Sequence, residues 1–588
     1  MGCEQVSKVE SWKRRVTQTL NRVQARRLAR AGRARAFVSA PEPLSIGHYA
    51  RGRQMLAGNF LLNGQVIEAP GTQLWDLAQD GTRFDLELQG FGWLDDLAAV
   101  GDARARARAQ DWTGAWIARY GAGRGPGWTP AMTGRRVIRW INHAIFLMQG
   151  RDAAWQAAFF RSLSGQVLFL SRRWKAATPG LPRFEALSGL IYAGLALEGM
   201  EDLTPPAISA LAADCIRQVD GDGGIATRSP EELMQVLTQL AWVRDALRSS
   251  DKEVPQALTA AIERIAPTLR GLRHADGALA RFHGGGRGLE GWLDGALAAS
   301  GVKSRPARGA VMGFARMHHG RTSLIADAAP PPSGAASGEA HASTLAFELT
   351  SGRRPIVVNC GAATSFGLQW RRAGRATPSH STLGLDGFSS ARLAPPDADG
   401  VELLTHPPSR VLTEWTDVGD GTRLEMSHDG WRGSHGLTHA RTLELPLDGR
   451  ALVGEDVITT LTDADRTRFD RAMDGHALQG IPYVVRFHLH PDVAPELDMG
   501  GTAVSLTLRS GEIWIFRSEG AALKLEKSVY LENGRLRPRT SAQVVLSGRA
   551  LSYATRVRWS LAKAHETPDA VRDTPPASRS QGETEDIS

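Results

Sequence analysis

The chain has 588 residues, 42% apolar and 22% charged, with 70 Lys+Arg against 62 Asp+Glu for a formal net charge of +8. At roughly 100–200 residues per domain this length calls for two to four cores, and the composition excludes wholesale disorder, collagen and a disulfide-rich scaffold. The mild basic excess is dominated by arginine and suits an acidic ligand without demanding one.

Residues 1–40 read as a basic helix, with Trp12, Val16, Leu20, Val23 and Leu28 at helical spacing among arginines. Such a helix lies on a membrane or a nucleic acid, or packs on its own domain. No apolar stretch follows Lys13, Arg14 and Arg15, so no secretory signal is visible and the face-value location is cytoplasmic. No run of 18 apolar residues exists, and no membrane span is expected. Cys3, Cys215 and Cys360 lie far apart without a CxxC, which argues against a disulfide framework or a cysteine-based zinc site.

Residues 41–305 form the next unit. From about 105 the text is rich in Ala and Leu with a 3.6-residue period, as in Gly134–Met148, Phe184–Leu197, Glu231–Leu247 and Val254–Leu272. Gly/Pro-rich loops separate these stretches, which predicts a stack of antiparallel helix pairs. Near 306 the pattern changes to short strands and turns. Ser323–Ala326, Ser343–Leu349, Pro355–Val358, Val411–Trp415, Arg441–Leu445, Val484–Leu489, Val504–Leu508, Glu512–Phe516, Gln543–Leu546 and Ala554–Leu561 predict an all-β unit over 306–565 with no helix between its strands. Residues 566–588, rich in Pro, Ser, Asp and Glu, read as a disordered tail.

The Gly-rich run Phe282–Gly288 lacks the strand–loop–helix setting of a phosphate loop and reads first as a connector. No GxSxG elbow is present. His341, Asn359 and His380 lie on neighbouring β segments, where two imidazoles, a carbonyl oxygen and a water could hold zinc; ordinary sheet histidines are the competing reading. His488 and His490 alternate on one strand and offer either a metal face or a polar outer face. Trp is abundant, and a helical groove of Trp and Arg suits an anionic glycan, although most buried Trp fills core.

Four stretches resemble the heparinase II/III family of polysaccharide lyases. Trp128–Met148 (WTPAMTGRRVIRWINHAIFLM) looks like its early W-x-P…R-x-x-x-W helix, and Gly180–Leu195 (GLPRFEALSGLIYAGL) its A-L-x-x-A-G-L helix. Asp222–Pro230 (DGGIATRSP) resembles its D-G-G-H-x-x-R-S-P loop, and Gly338–Leu349 (GEAHASTLAFEL) its G-H-x-H-A-D-x-L-S-F-E-L strand. The resemblance implies an α+β multidomain fold, in which an N-terminal incomplete (α/α) toroid of antiparallel helices precedes a C-terminal antiparallel β-sandwich. It implies a carbon–oxygen lyase acting on an acidic, uronic-acid-containing polysaccharide or oligosaccharide by β-elimination. It places Trp128, Arg136, Trp140 and Asn142 on the substrate, and a structural zinc on His341, Asn359 and His380, Asn standing where the family has Asp. It also suggests the periplasm or cell envelope, against the missing signal. A homodimer is compatible with this reading, and nucleic acid is not an expected partner.

The family's catalytic set is replaced. Where it uses an Asn-His pair, a Tyr and a His, the matching positions here are Leu181 and Pro182, Glu232, and Glu339; the D-G-G-H histidine is Ile225. The candidate catalytic residues are therefore Arg228, Glu232 and Glu339. Glu232 and Glu339 would meet across one cleft as an acid/base pair, which is the equipment of glycoside hydrolysis. Hydrolysis on the same scaffold and a non-catalytic glycan-binding or envelope protein are the alternatives to lyase action.

Overall fold

The structure is a computed structural model and describes residues 2–39, 47–62, 65–77, 83–304, 309–363, 366–397, 400–532 and 537–564. The boundaries read near 40 and 306 and the tail 566–588 lie outside the described residues.

The first half is a shell of paired helices. Pro130–Asn142 packs on Leu181–Ala196, which in turn packs on Thr204–Gln218 and Pro230–Ser249. The closest crossing is made by glycine. A Cβ on Gly134 would stand 2.2 Å from the Glu185 carbonyl oxygen, and one on Gly189 would stand 2.7 Å from the Gly134 Cα, so the two backbones touch. The period read over Gly134–Met148 is interrupted at His143, whose ring turns to Asp95 (2.8 Å), and the helix restarts at Ala144. A small hairpin, Asn59–Leu62 with Gln65–Glu68, interrupts the shell.

The second half is two antiparallel sheets. One runs in the order Val411–Val418, Gly421–Trp431, Leu437–Pro446, Ala451–Thr459, Ala554–Lys563, Ile513–Glu519, Ala503–Thr507, Ala494–Asp498. The other runs Ala522–Tyr530, Arg539–Ala550, Ile481–Leu489, Arg354–Val358, Phe347–Ser351, Thr322–Asp327, Phe314–His319, Ala310–Val311. Alternation along the strands turns Phe347, Phe487, Phe516 and Trp559 into the space between the sheets, where Phe347 stacks on Trp559 at 5.8 Å. Contrary to the helix-free expectation, Leu368–Arg375 and Asp463–Gly475 are helices within this half. The second begins with a reciprocal cap between Thr462 and Asp465, a local signal that the strand count overlooked.

The sandwich core has a charged knot. The Arg441 guanidinium bonds both Asp456 oxygens (2.8 and 3.1 Å) and the carbonyls of Leu345 and Ser381. Asp456 also accepts from His439 and from Trp559 Nε1. Arg441 holds the Asp456 carboxyl far below the carboxylate range despite full burial. Removing one partner strands the other in a dry interior. Asp456→Ala is expected to lower sandwich stability by about 3–5 kcal/mol, read as the denaturant midpoint of the Trp559 environment; a loss below about 1 kcal/mol would put the knot outside the set of stabilising contacts.

Candidate functional site

The helical shell meets the sandwich around the start of the Pro230–Ser249 helix. Ser229 caps that helix and Pro230 occupies its first turn. Arg228, just before it, is held at φ 50°. Its guanidinium crosses into the sandwich. Nε donates to Met312 O (3.0 Å), Nη1 to Ala329 O and Pro330 O (3.2 and 2.7 Å), and Nη2 to Gly313 O (2.8 Å) and Asp327 Oδ1 (2.6 Å). The plane also lies over Phe314 at 4.6 Å. Every N–H of this arginine is directed at protein, so none is left for a uronate carboxylate.

The two carboxylates expected to act as a pair come from opposite halves, as predicted, and each has work in the fold. Glu232 lies in the first turn of the Pro230 helix. Burial pushes its pKa up. Its Oε1 stands beside the entry of the neighbouring Leu181–Ala196 helix, 3.6 Å from where a Cβ on Gly180, at φ 97°, would lie. Glu339 receives both Nε (3.2 Å) and Nη2 (3.0 Å) of Arg371, a bidentate pair whose arginine is buried. The connector His283–Gly286 runs between the halves. Gly286 N–H donates to Glu231 Oε2 (2.7 Å), and a Cβ on Gly284, at φ 81°, would meet the Glu339 Cβ at 2.7 Å. Leu181 and Ile225 are buried apolar side chains.

Trp128, Arg136, Trp140 and Asn142, expected on substrate, are inside the shell. Arg136 is fully buried with its guanidinium 4.2 Å from the Trp116 ring, and it donates to Gln166 Oε1, Gln89 O and Gly127 O. Burial pushes its pKa down to about 9. Trp116 packs edge-on against Trp140 at 5.5 Å, and Trp128 Nε1 donates to Tyr120 O. Asn142 is 8% exposed. A helix covered on more than one side carries no period that separates its groove face from its core face, which is why the Trp/Arg pattern misled. The partly exposed positions on this helix are Ala131, Met132, Arg135 and Arg139, and the two arginines, four residues apart, pair with Glu185 and Asp95. Their spacing was the available signal.

The residues matched to the zinc site do come together, but their donors do not fit a cation. His341 and His380 rings stand 4.9 Å apart, and Asn359 bonds beside them; all three are buried. His341 lies in the irregular segment ahead of the strand rather than on it. Gly284 N–H donates to His341 Nε2 (2.9 Å), which fixes that ring's proton on Nδ1 and leaves no lone pair for a metal. Asn359 Oδ1 is taken by the Ser381 N–H (3.0 Å), and its free Nδ2 can only donate. Among the described residues no three His, Cys, Asp or Glu side chains are placed to hold a metal ion. Protein purified without chelator should carry well under one zinc per chain by elemental analysis, and added zinc should leave Tm unchanged; one tightly held equivalent would contradict this donor assignment.

His488 and His490 form neither a metal face nor a polar outer face. His488 is buried between Ser528 Oγ (2.8 Å) and Pro378 O (2.9 Å), and His490 packs edge-on to Tyr530 at 5.0 Å. Burial pushes both down to about 4, and it lowers His428 and His439 as well. These rings stay neutral in the fold while the unfolded chain protonates near 6.5. Their contribution is whole above pH 6.5 and is lost as pH falls toward 4, at about 1.4 kcal/mol per pH unit for each histidine. The denaturant midpoint should drop steadily between pH 6.5 and 4.5; a flat profile would show that these rings protonate in place.

Comparison with known proteins agrees with this architecture. Residues 301–560 match the family model "Heparinase II/III-like, C-terminal". FtsZ-localized protein C of Caulobacter vibrioides (strain NA1000 / CB15N) is 32% identical over 544 residues, covering 89% of each chain. A crystal structure of heparinase III superimposes with a TM-score of 0.68 at 13% identity, covering 92% of this chain and 89% of that one. Heparan sulfate lyase HepC from Pedobacter heparinus does so at 0.55 and 15% identity, covering 94% and 89%. At those identities the solved structures establish the fold alone. The chain belongs to the heparinase II/III-like family.

Proposed function

We propose that this heparinase II/III-like chain is a non-catalytic protein that docks on an anionic membrane surface through its N-terminal helix and works alongside FtsZ. The observation that carries the reading is the double face of the helix Gly2–Leu28. One side packs on the helix Ala153–Arg173, with Asn21 and Ala25 buried and Arg173 Nε donating to Asn21 Oδ1 (2.7 Å). The other side leaves Trp12 65%, Val16 38%, Leu20 44% and Val23 53% exposed, at spacings of four, four and three residues. Exposed Lys13, Arg15, Arg22, Arg26 and Arg27 flank that stripe. An apolar stripe between cations matches the acyl–headgroup boundary of an anionic bilayer. Association with FtsZ is extended to this chain from the name of its 32% identical relative.

Three further observations support the absence of β-elimination. Leu181 and Pro182 carry no side-chain donor, Arg228 is consumed in the junction, and Glu339 is neutralised by Arg371. One observation favours a second reading. Glu232, pushed toward its protonated form, and Glu339, held by an arginine, have the opposed states of a hydrolytic acid and base.

The full chain should co-sediment with phosphatidylglycerol-containing vesicles, bind phosphatidylcholine vesicles far less, and lose binding in high salt. Trp12→Glu with Leu20→Glu should reduce sedimentation at least tenfold while Tm is kept, and binding that survives both changes would remove α-helical docking from the proposal. Incubation with acidic and neutral glycans should give neither new ultraviolet absorbance nor new reducing ends. New absorbance would restore uronate elimination as the function, and reducing ends abolished by Glu232→Gln would restore hydrolysis.

A further inference from the structure

A partly open pocket lies away from the Arg228 junction, between the connector that follows the Gln256–Gly271 helix and the sheet that contains Phe347–Ser351 and Arg354–Val358. His274, Arg281 and Arg287 line it from the connector, and Thr350, His490 and Tyr530 from the sheet. Two carboxylates line it: Asp276 is partly exposed, and the buried Glu348 is spent internally. Glu348 Oε1 accepts from Arg281 Nε and Nη2 (3.2 and 3.1 Å), and Oε2 accepts from the Arg281 backbone N–H (3.1 Å) and pairs with His274 Nε2 (3.1 Å).

What remains around the cavity is unsatisfied. Arg281 Nη1, His274 Nδ1 and Thr350 Oγ1 are all buried, in residues 5%, 6% and 2% exposed, and none has a hydrogen-bond partner. Each such atom costs about 1–3 kcal/mol while it stays unpaired. The three differ in what they ask for. Arg281 Nη1 can only donate, and the Thr350 hydroxyl can donate. His274 Nε2 pairs with Glu348, and in the neutral ring that donates there Nδ1 presents a lone pair and asks for a donor. A ligand that answers all three carries an anionic oxygen and an adjacent hydroxyl. Arg287, 3.5 Å from Glu532 and 44% exposed at its side chain, adds a cation to the lining.

We propose that this cavity binds a small hydroxylated oxyanion, its anionic oxygen on Arg281 Nη1 and the Thr350 hydroxyl and its own hydroxyl donating to His274 Nδ1. A hydrogen phosphate and the carboxylate end of a hydroxylated sugar acid both have this chemistry. Bound there, the ligand touches the connector and the sheet together and braces the two halves. The site shares no residue with the N-terminal helix or with the carboxylates near Arg228, so it stands whether or not the membrane reading holds.

The test uses the full chain with three probes: inorganic phosphate, glucuronate and acetate. Phosphate or glucuronate should raise Tm at millimolar concentration and give a saturable calorimetric isotherm, and acetate, which lacks the hydroxyl, should bind at least tenfold more weakly. Which of the first two binds tighter identifies the source. Thr350→Val keeps the side-chain shape and removes a hydroxyl that is unpaired without ligand. It should leave the unliganded Tm equal or higher while weakening binding about tenfold, and Arg287→Gln should weaken it less. No stabilisation by phosphate or glucuronate, acetate binding as tight as theirs, or binding unchanged in Thr350→Val would each overturn the assignment.

Discussion

The burial of one guanidinium fixes how the two halves meet. Arg228 leaves the shell at the mouth of a helix and ends among four backbone carbonyls and Asp327 of the sandwich. A charge taken out of water is tolerated only where its hydrogen bonds are all made. The geometry of the acceptors therefore dictates where the sandwich sits against the Pro230 helix. Asp327 passes the constraint on, since its second oxygen takes the Ser343 hydroxyl (2.7 Å) and stands 3.5 Å from His283 Nε2. His283 Nδ1 in turn accepts the His341 backbone N–H. Hydrogen bonds and a close His283–Asp327 contact run across the junction from helix to strand, and the connector His283–Gly286 is threaded through it.

This arrangement bears on chemistry as well as on shape. A group that acts on substrate needs a free lone pair, proton or N–H at the moment of reaction. Around this junction those capacities are directed inward. Arg228 is filled by carbonyls, Glu231 accepts from the connector at Gly286, Glu232 is pushed toward its protonated form by burial and Glu339 is clamped by Arg371. Membrane docking asks nothing of the cleft, which is why the two observations belong to one functional reading.

The fold was legible because both periods are strong. The 3.6-residue pattern of the first half and the short alternating strands of the second survive in the observed elements, with Glu231–Leu247 lying inside Pro230–Ser249 and Val484–Leu489 inside Ile481–Leu489. The site was legible only as a neighbourhood. Spacing brought His341, Asn359 and His380 together, yet whether a ring offers a lone pair depends on a backbone N–H 57 residues away in the chain, and no sequence pattern records that. Trp128, Arg136 and Trp140 failed for a different reason. Trp and Arg stack equally well on a sugar and on each other, and only the packing of a second helix layer decides between them. The cavity at Arg281 and Thr350 left no linear signal, because its members come from a connector and non-adjacent strands.

Unpaired atoms inside a folded chain carry more information than paired ones, because folding tolerates few of them. Two clusters here look alike in that respect and differ in meaning. Around His341 and His380 the free groups are ring nitrogens and an amide N–H, packed closely, and His380 alone offers a lone pair, short of the set a cation needs. Around the connector, a cation, a hydroxyl and an imidazole lone pair line an open space, and their polarities differ. A set of identical donors is satisfied by any acceptor, water included. A mixed set in a pocket is answered by a molecule whose oxygens are protonated in one place and ionised in another. That selectivity comes from Glu348, whose demand for the His274 Nε2 proton sets the polarity of the opposite nitrogen.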